Sequence, residues 1–203
     1  MVLDRQIINV TPEHPLYPAT LRDQDRVAPF WAAGPLEILD KPFTGFFCSS
    51  QCPGAVILKT FDAITSLRDR QEVLIGGFHS PMEWGCFGIL LRGRQPLIWV
   101  PARSIQGMRL KPEIRPAFAA GRLLILSPFP PKQRRITSGL AEERNRFVAA
   151  VADRIFAAHA APSSRTFALC EELHRRGKPL VTVDDPANGN LLSMPGVRGV
   201  VDL

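Results

Sequence analysis

From residue 43 onward, apolar positions follow two alternating rhythms. Short runs that are apolar throughout, such as Leu123 to Leu126 and Leu97 to Val100, alternate with longer segments carrying a single apolar stripe. Runs apolar on both faces predict strands of a parallel sheet covered on both sides, and stripes of period 3.6 predict the covering helices. The runs place strands at 44–49, 72–76, 96–101, 122–127, 154–158 and 179–184, with a short last one at 198–203. The stripes place helices at 55–68, 81–92, 112–120, 137–152 and 163–176. Regular strand-then-helix alternation implies right-handed crossovers, and so a doubly wound, mostly parallel, Rossmann-like α/β sheet.

The first 42 residues follow neither rhythm. Prolines at 12, 15, 18, 29, 35 and 42 interrupt the segment, and apolar anchors are interleaved with turn residues. This predicts a short proline-rich extension with helical turns, packed on the body through Tyr17, Leu21, Phe30 and Trp31. The chain thus divides into an extension, 1–42, and a Rossmann-like domain, 43–203. A length of 203 residues suits one α/β domain plus such an extension. With no run of about 18 apolar residues and no signal-peptide layout at Met1, the expectation is a cytoplasmic protein without a membrane span.

Charge sharpens the picture. The net charge is +6, but residues 1–42 hold four basic and six acidic groups. Between Arg92 and Arg135 there are ten basic residues against one acidic residue, Glu113. Such a block suits phosphate or nucleic-acid attraction, or simply forms a solvated basic face. In parallel sheets, ligands sit beyond the carboxyl ends of the strands. Arg103, Lys132, Arg134 and Arg135 follow strands and belong to that edge, whereas Arg92 and Arg94 precede a strand and belong to the opposite one.

The loops of the carboxyl edge hold the remaining candidates. Gly76 and Gly77 follow a strand and allow close backbone approach, and Ser80 with Pro81 opens the next helix. Ser49 with Ser50, and Ser163 with Ser164, suit either phosphate oxygens or the capping of their own helices. At 100° per residue, Leu140, Phe147, Val148 and Val151 form one stripe, and Arg144 falls inside it. A buried guanidinium must find a bound anion, carbonyls, or a carboxylate such as Glu83 or Asp153. His79 lies in a ligand-edge loop, and Glu83 is the one carboxylate in the glycine loops. No serine or cysteine has a nucleophile setting, and no His, Cys, Asp or Glu cluster has metal-ligand spacing. The four cysteines read as free thiols. No catalytic residue, metal or cofactor is expected.

Taken in order, these pieces resemble the DNA-processing protein A family (DprA, also called Smf), from about His14 to Leu203. Tyr17, Pro18 and Leu21, then Ala28, Pro29 and Gly34, resemble its lead-in to the first strand. The segment 75–83 stands at its second glycine loop, and Arg144-Asn145-Arg146 matches its Arg-Asn-Arg helix. Ser163-Ser164 stands at its Ser-Gly turn, and Gly189 to Leu192 with Gly196 resembles its closing segment. The resemblance implies an extended Rossmann fold binding single-stranded DNA at a basic pocket, a homodimer, and a recombinase partner. It implies no turnover of a substrate.

Two departures matter. Gln51 stands where the first loop usually carries arginine, and Ser80-Pro81-Met82-Glu83 lacks the second loop's arginine and has Glu for Asp. The phosphate-facing role would then pass to Lys132, Arg134, Arg135 and Arg103. A nucleotide-binding sensor on the same edge is the alternative. Hydrolysis like that of the related nucleotide phosphoribohydrolases is not expected, since 162–166 keeps only the frame of their glycine loop and Leu169 occupies the glutamate position.

Overall fold

The computed structural model describes residues 1–3, 6–22 and 28–200. The alternation of the sequence is realised as a nine-stranded sheet in the order β1-β2-β6-β5-β4-β3-β7-β8-β9. The central strands are β3 (Phe43–Cys48), β4 (Val73–Gly76), β5 (Leu97–Trp99), β6 (Leu123–Ser127), β7 (Arg154–His159), β8 (Leu180–Val183) and β9 (Arg198–Val200). All pair in parallel. Residues 201–203, the end of the predicted last strand, lie outside the described residues.

Strands β3, β4 and β6 are buried along their whole length, as a sheet covered on both faces requires. The long helices α2 (Gly54–Asp69) and α3 (Pro81–Leu91), with the short α4 (Arg115–Ala119), cover one face. Helices α5 (Ser138–Val151) and α6 (Arg165–Arg175) cover the other. Phe46, Phe78, Phe87 and Phe156 anchor the first core and are buried almost completely. Each such ring contributes roughly 2–3 kcal/mol of transfer free energy.

The N-terminal residues depart from a purely extended arm. β1 (Ile7–Val10) and β2 (Phe30–Ala33) pair antiparallel, and β2 hydrogen-bonds antiparallel to β6. The proline-rich segment thereby covers an edge that β6 would otherwise expose. Gly34 ends β2 at φ +109, where an added Cβ would lie 2.4 Å from the Leu123 carbonyl oxygen. Only glycine fits that turn and that approach. A helical turn, α1 (Ala19–Arg22), rests on α5, and Tyr17, Leu21 and Phe30 are buried as expected. Trp31 is only half-buried.

The strand order reverses between β3 and β7. The chain runs outward from β3 through β4 and β5 to β6, then returns to β7 on the other flank. This is the topological switch point, the usual ligand crevice of an open α/β sheet. No helix among the described residues is long and apolar enough to cross a membrane.

Candidate nucleic-acid interface

The carboxyl edge holds two regions of different character. At the switch point, Ser49 follows β3 and donates its backbone N–H to the His159 carbonyl at 2.8 Å. Its Oγ lies 3.1 Å from the Ser164 Oγ and accepts the Ala161 N–H at 3.1 Å. Ser164 caps α6 by accepting the Phe167 N–H at 3.1 Å, and Ser163 takes φ +59 to bring it there. Ser49 does not cap α2, whose N-terminus opens on Pro53 without a side-chain cap. Ser50 is exposed beside it.

Below these serines, the Asn188 Nδ2 donates to the carbonyls of Ala158 at 2.9 Å and Val183 at 3.0 Å. That orientation leaves the Asn188 Oδ1 to accept from the His159 Nδ1 at 2.8 Å, which assigns the imidazole proton to Nδ1. Asn190 ties the same turn to the Ala160 carbonyl at 2.8 Å.

The second glycine loop is closed from within. Glu83 is buried, and its Oε1 accepts the Cys48 N–H at 3.1 Å. Its Oε2 accepts the N–H groups of His79 at 2.8 Å and Ser80 at 3.3 Å. Ser80 returns the bond as N-cap, accepting the Glu83 N–H at 3.2 Å, so the pair forms a capping box. Glu83 therefore joins α3 to the last residue of β3. His79 itself is exposed.

Arg144 lies inward on α5, as helical phase predicts, and is 4% exposed. Its Nη1 donates to the Val100 carbonyl at 3.1 Å and its Nε to the Asn145 Oδ1 at 2.7 Å. Burial lowers its pKa, and the neighbouring Glu83 carboxylate raises it again. The guanidinium occupies the space that Gly77 leaves: an added Cβ there would lie 1.4 Å from Nη1. The Cβ position of Gly76 is taken up likewise by the Phe78 ring, at 3.0 Å. The glycine pair thus makes room for protein groups, whereas the sequence suggested room for a ligand.

Arg146 does not join this cluster. It is exposed and lines a groove of about 570 Å³ between α5 and α6, with Leu169, Glu172 and Lys178 among its neighbours. Two residues along a helix is 200° of rotation, so Arg144 and Arg146 cannot share a face. A further cleft of about 620 Å³, lined by Lys41, Glu72 and Arg154, lies at the amino edge.

The second region lies at the outer flank, beyond β6. Its strand sits three places from β3, so its loop is about 14 Å from Ser49 at the usual strand spacing. The Ser127 Oγ donates to the Arg103 carbonyl at 3.0 Å, and the Ser104 N–H donates to the Gln133 carbonyl at 2.7 Å. These bonds fuse the loops after β5 and β6 into one platform, which leads to Thr137, the N-cap of α5. Lys132, Arg134 and Arg135 are exposed on it, and none has a side-chain partner among the described residues. Arg103 is half-buried and, among the described residues, donates only to the Ser104 carbonyl, at 3.2 Å. The Gln133 Oε1 is buried without a hydrogen-bond partner among the described residues. Arg92 and Arg94 precede β5 and lie at the opposite edge, as expected.

The Cys48 thiol is pushed up by its Cys52 neighbour and by burial, Cys86 by burial, and Cys170 by burial to about 12. These three thiols are held protonated, whereas the neighbouring Cys48 lowers the pKa of the Cys52 thiol. All four cysteines are free. Among the described residues no cluster of three or more ligating side chains could hold a metal.

Fold and edge together define an extended Rossmann module with a basic flank on its ligand edge. No protein-family model and no curated protein matches the chain. Among solved structures it has the fold of DNA processing protein A from Streptococcus pneumoniae, with TM-score 0.82 and 17% identity over 98% of this chain and 73% of that one. The corresponding protein from Helicobacter pylori, whose structure concerns a single-stranded DNA binding mode, gives TM-score 0.77 and 17% identity over 96% and 90%. The molybdenum cofactor carrier protein of Chlamydomonas reinhardtii is more distant, with TM-score 0.54 and 14% identity over 80% and 91%. The fold implied by the sequence resemblance is the fold found.

The sequence pattern does not reveal the His159–Asn188 pair, nor a cleft of about 410 Å³ lined by Ile7, Asn9, Trp31 and Gln106. A histidine ending a strand at the ligand edge was a usable signal for the first. The second depends on β1 and β2 lying in the sheet, which the sequence pattern did not indicate.

Proposed function

We propose that this protein binds single-stranded DNA along the carboxyl edge of its sheet and acts in DNA processing without turning over a substrate. The observation that carries this reading is the set of Lys132, Arg134 and Arg135, exposed and unpartnered on one platform with Arg103. Cations left free at a ligand edge attract a polyanion, and the N-terminus of α5 beside them adds a favourable dipole. Likeness to a DNA processing protein A that binds single strands supports the same conclusion. At the switch point, Ser49, Ser164, Glu83 and Arg144 already bond to protein groups, so the phosphate contacts fall to the flank. The same internal bonding disfavours a mononucleotide sensor there.

The test is fluorescence anisotropy with labelled single strands, duplexes and mononucleotides at two salt concentrations. Substituting Lys132, Arg134 and Arg135 together by Ala should weaken single-strand binding and reduce its salt slope by about 2, at roughly 0.7 per phosphate contact. The melting temperature should barely change, since exposed substitutions cost within about 0.5 kcal/mol. Single-strand binding unaltered by the triple substitution would remove the flank as the interface. Stabilisation by a mononucleotide but not by oligonucleotides would replace DNA with a nucleotide.

A further inference from the structure

One opening on the molecule has the chemistry of a base-binding site. Asn9 and Trp31 are cross-strand partners in β1 and β2, and with Ile7 and Gln106 they line a cleft of about 410 Å³. That lies within the range of small-ligand clefts, about 300–1,000 Å³. The Trp31 ring is half-buried, rests on the α2–α3 core and pairs with no other aromatic ring among the described residues. Its indole N–H and the carboxamides of Asn9 and Gln106 make no hydrogen bond among the described residues. An aromatic face flanked by two free carboxamides suits a flat heterocycle with polar edges.

The position of the cleft matters as much as its lining. Trp31 is the register partner of Ser127 in the adjacent strand. Ser127 in turn holds the Arg103 carbonyl, and Gln106 is three residues from Arg103. The cleft therefore lies about one strand spacing, 4.8 Å, from the strand whose end carries the basic platform. A phosphodiester lying on Arg103 and Lys132 would bring an attached base to the Trp31 face.

We propose that the Trp31 cleft is a nucleobase subsite: a base stacks on the indole while Asn9 and Gln106 hydrogen-bond its edge. This rests on the flank binding a single strand, and deepens that reading from phosphate contact to base contact. Every base has a π-face, so the subsite holds the strand with little sequence preference.

The experiment compares labelled oligothymidylate with an abasic oligonucleotide of the same length and charge, bound to the full chain. The wild type should prefer the base-bearing strand by on the order of 10- to 100-fold, the range of one good base–aromatic stack. Trp31→Leu, which keeps an apolar side chain against the core, should remove that preference while leaving abasic binding unchanged. Trp31→Phe should keep most of it, and Gln106→Ala, on the loop, should reduce it without touching the core. A preference that survives Trp31→Leu would overturn the subsite and leave DNA binding intact. Equal wild-type affinity for the two strands would overturn it as well. Absence of binding to either strand would overturn the DNA reading and the subsite together.

Discussion

The switch point and the outer flank occupy the same edge of one sheet, yet they treat polar side chains in opposite ways. At the switch point Ser49, Ser164, Glu83, His159 and Asn188 each bond to another protein group. On the flank Lys132, Arg134 and Arg135 have none among the described residues. In the first region a buried polar atom must be satisfied internally, because leaving it unpaired costs about 1–3 kcal/mol. In the second, the exposed cations can be satisfied by solvent. The crevice that α/β topology makes the usual ligand site is here knit together by internal hydrogen bonds, and on the proposed reading the contact surface lies three strands further out.

The comparison breaks most readily at Gly77. Gly77→Ala would drive a methyl group into the Arg144 guanidinium, which is held at the Val100 carbonyl and the Asn145 Oδ1. Displacing a buried, hydrogen-bonded cation should cost on the order of 3 kcal/mol. For a domain of this size that lowers the melting temperature by roughly 6–12 °C in calorimetry. Replacing the three flank cations should do the reverse, changing binding and leaving melting nearly unaltered. If Gly77→Ala melts like the wild type and binds DNA less well, the switch point is a ligand site after all.

Glu83 gives a smaller and more local test. In Glu83→Gln one carboxylate oxygen becomes an NH₂ group that faces the N–H of Cys48, or those of His79 and Ser80. The loss should be about 2 kcal/mol, read as a shift in the denaturant midpoint with unchanged slope. Ser164→Ala removes the cap of α6 together with the partner of Ser49, for about 1 kcal/mol. Its effect should appear in amide exchange of the first turn of α6 before it appears in global stability.

Much of this architecture was legible beforehand, and the reasons are physical. Strands buried on both faces announce themselves as unbroken apolar runs, so Leu123 to Leu126 could not be read otherwise. Arg144 could be placed inward because the stripe around it was clean over about three turns. Its partner was invisible, since Gly77 is 67 residues away and a glycine carries no side chain to signal what fills its place. The triplet Arg144-Asn145-Arg146 invited a grouping that helical geometry forbids. β1 and β2 span four residues each, too few for a period of 2 to emerge from a proline-rich background. Their strand character comes from the free edge of β6, a tertiary cause that local sequence does not carry.

The smallest expected effect marks where the organised region meets solvent. Asp185 accepts the Ala187 N–H at 3.0 Å and pairs with the Lys59 Nζ of α2 at 2.9 Å. It thereby sets the 3-10 turn that presents Asn188 to His159. The Ala187 N–H and the Lys59 ammonium, with His159 nearby, hold its carboxyl below the ordinary aspartate value. A carboxyl lowered on folding stabilises fully above its unfolded pKa, about 3.9, and that contribution disappears as pH falls through the lower folded value. Melting curves of the wild type and Asp185→Asn should therefore differ at pH 6 and converge as acid is added through the range below about pH 4. Lys59 is half-exposed, so the difference should be small and should shrink with added salt. Curves that instead diverge on acidification would mean that the turn at Asn188 is held by something other than this carboxylate, and that the joint at the switch point does not extend to α2.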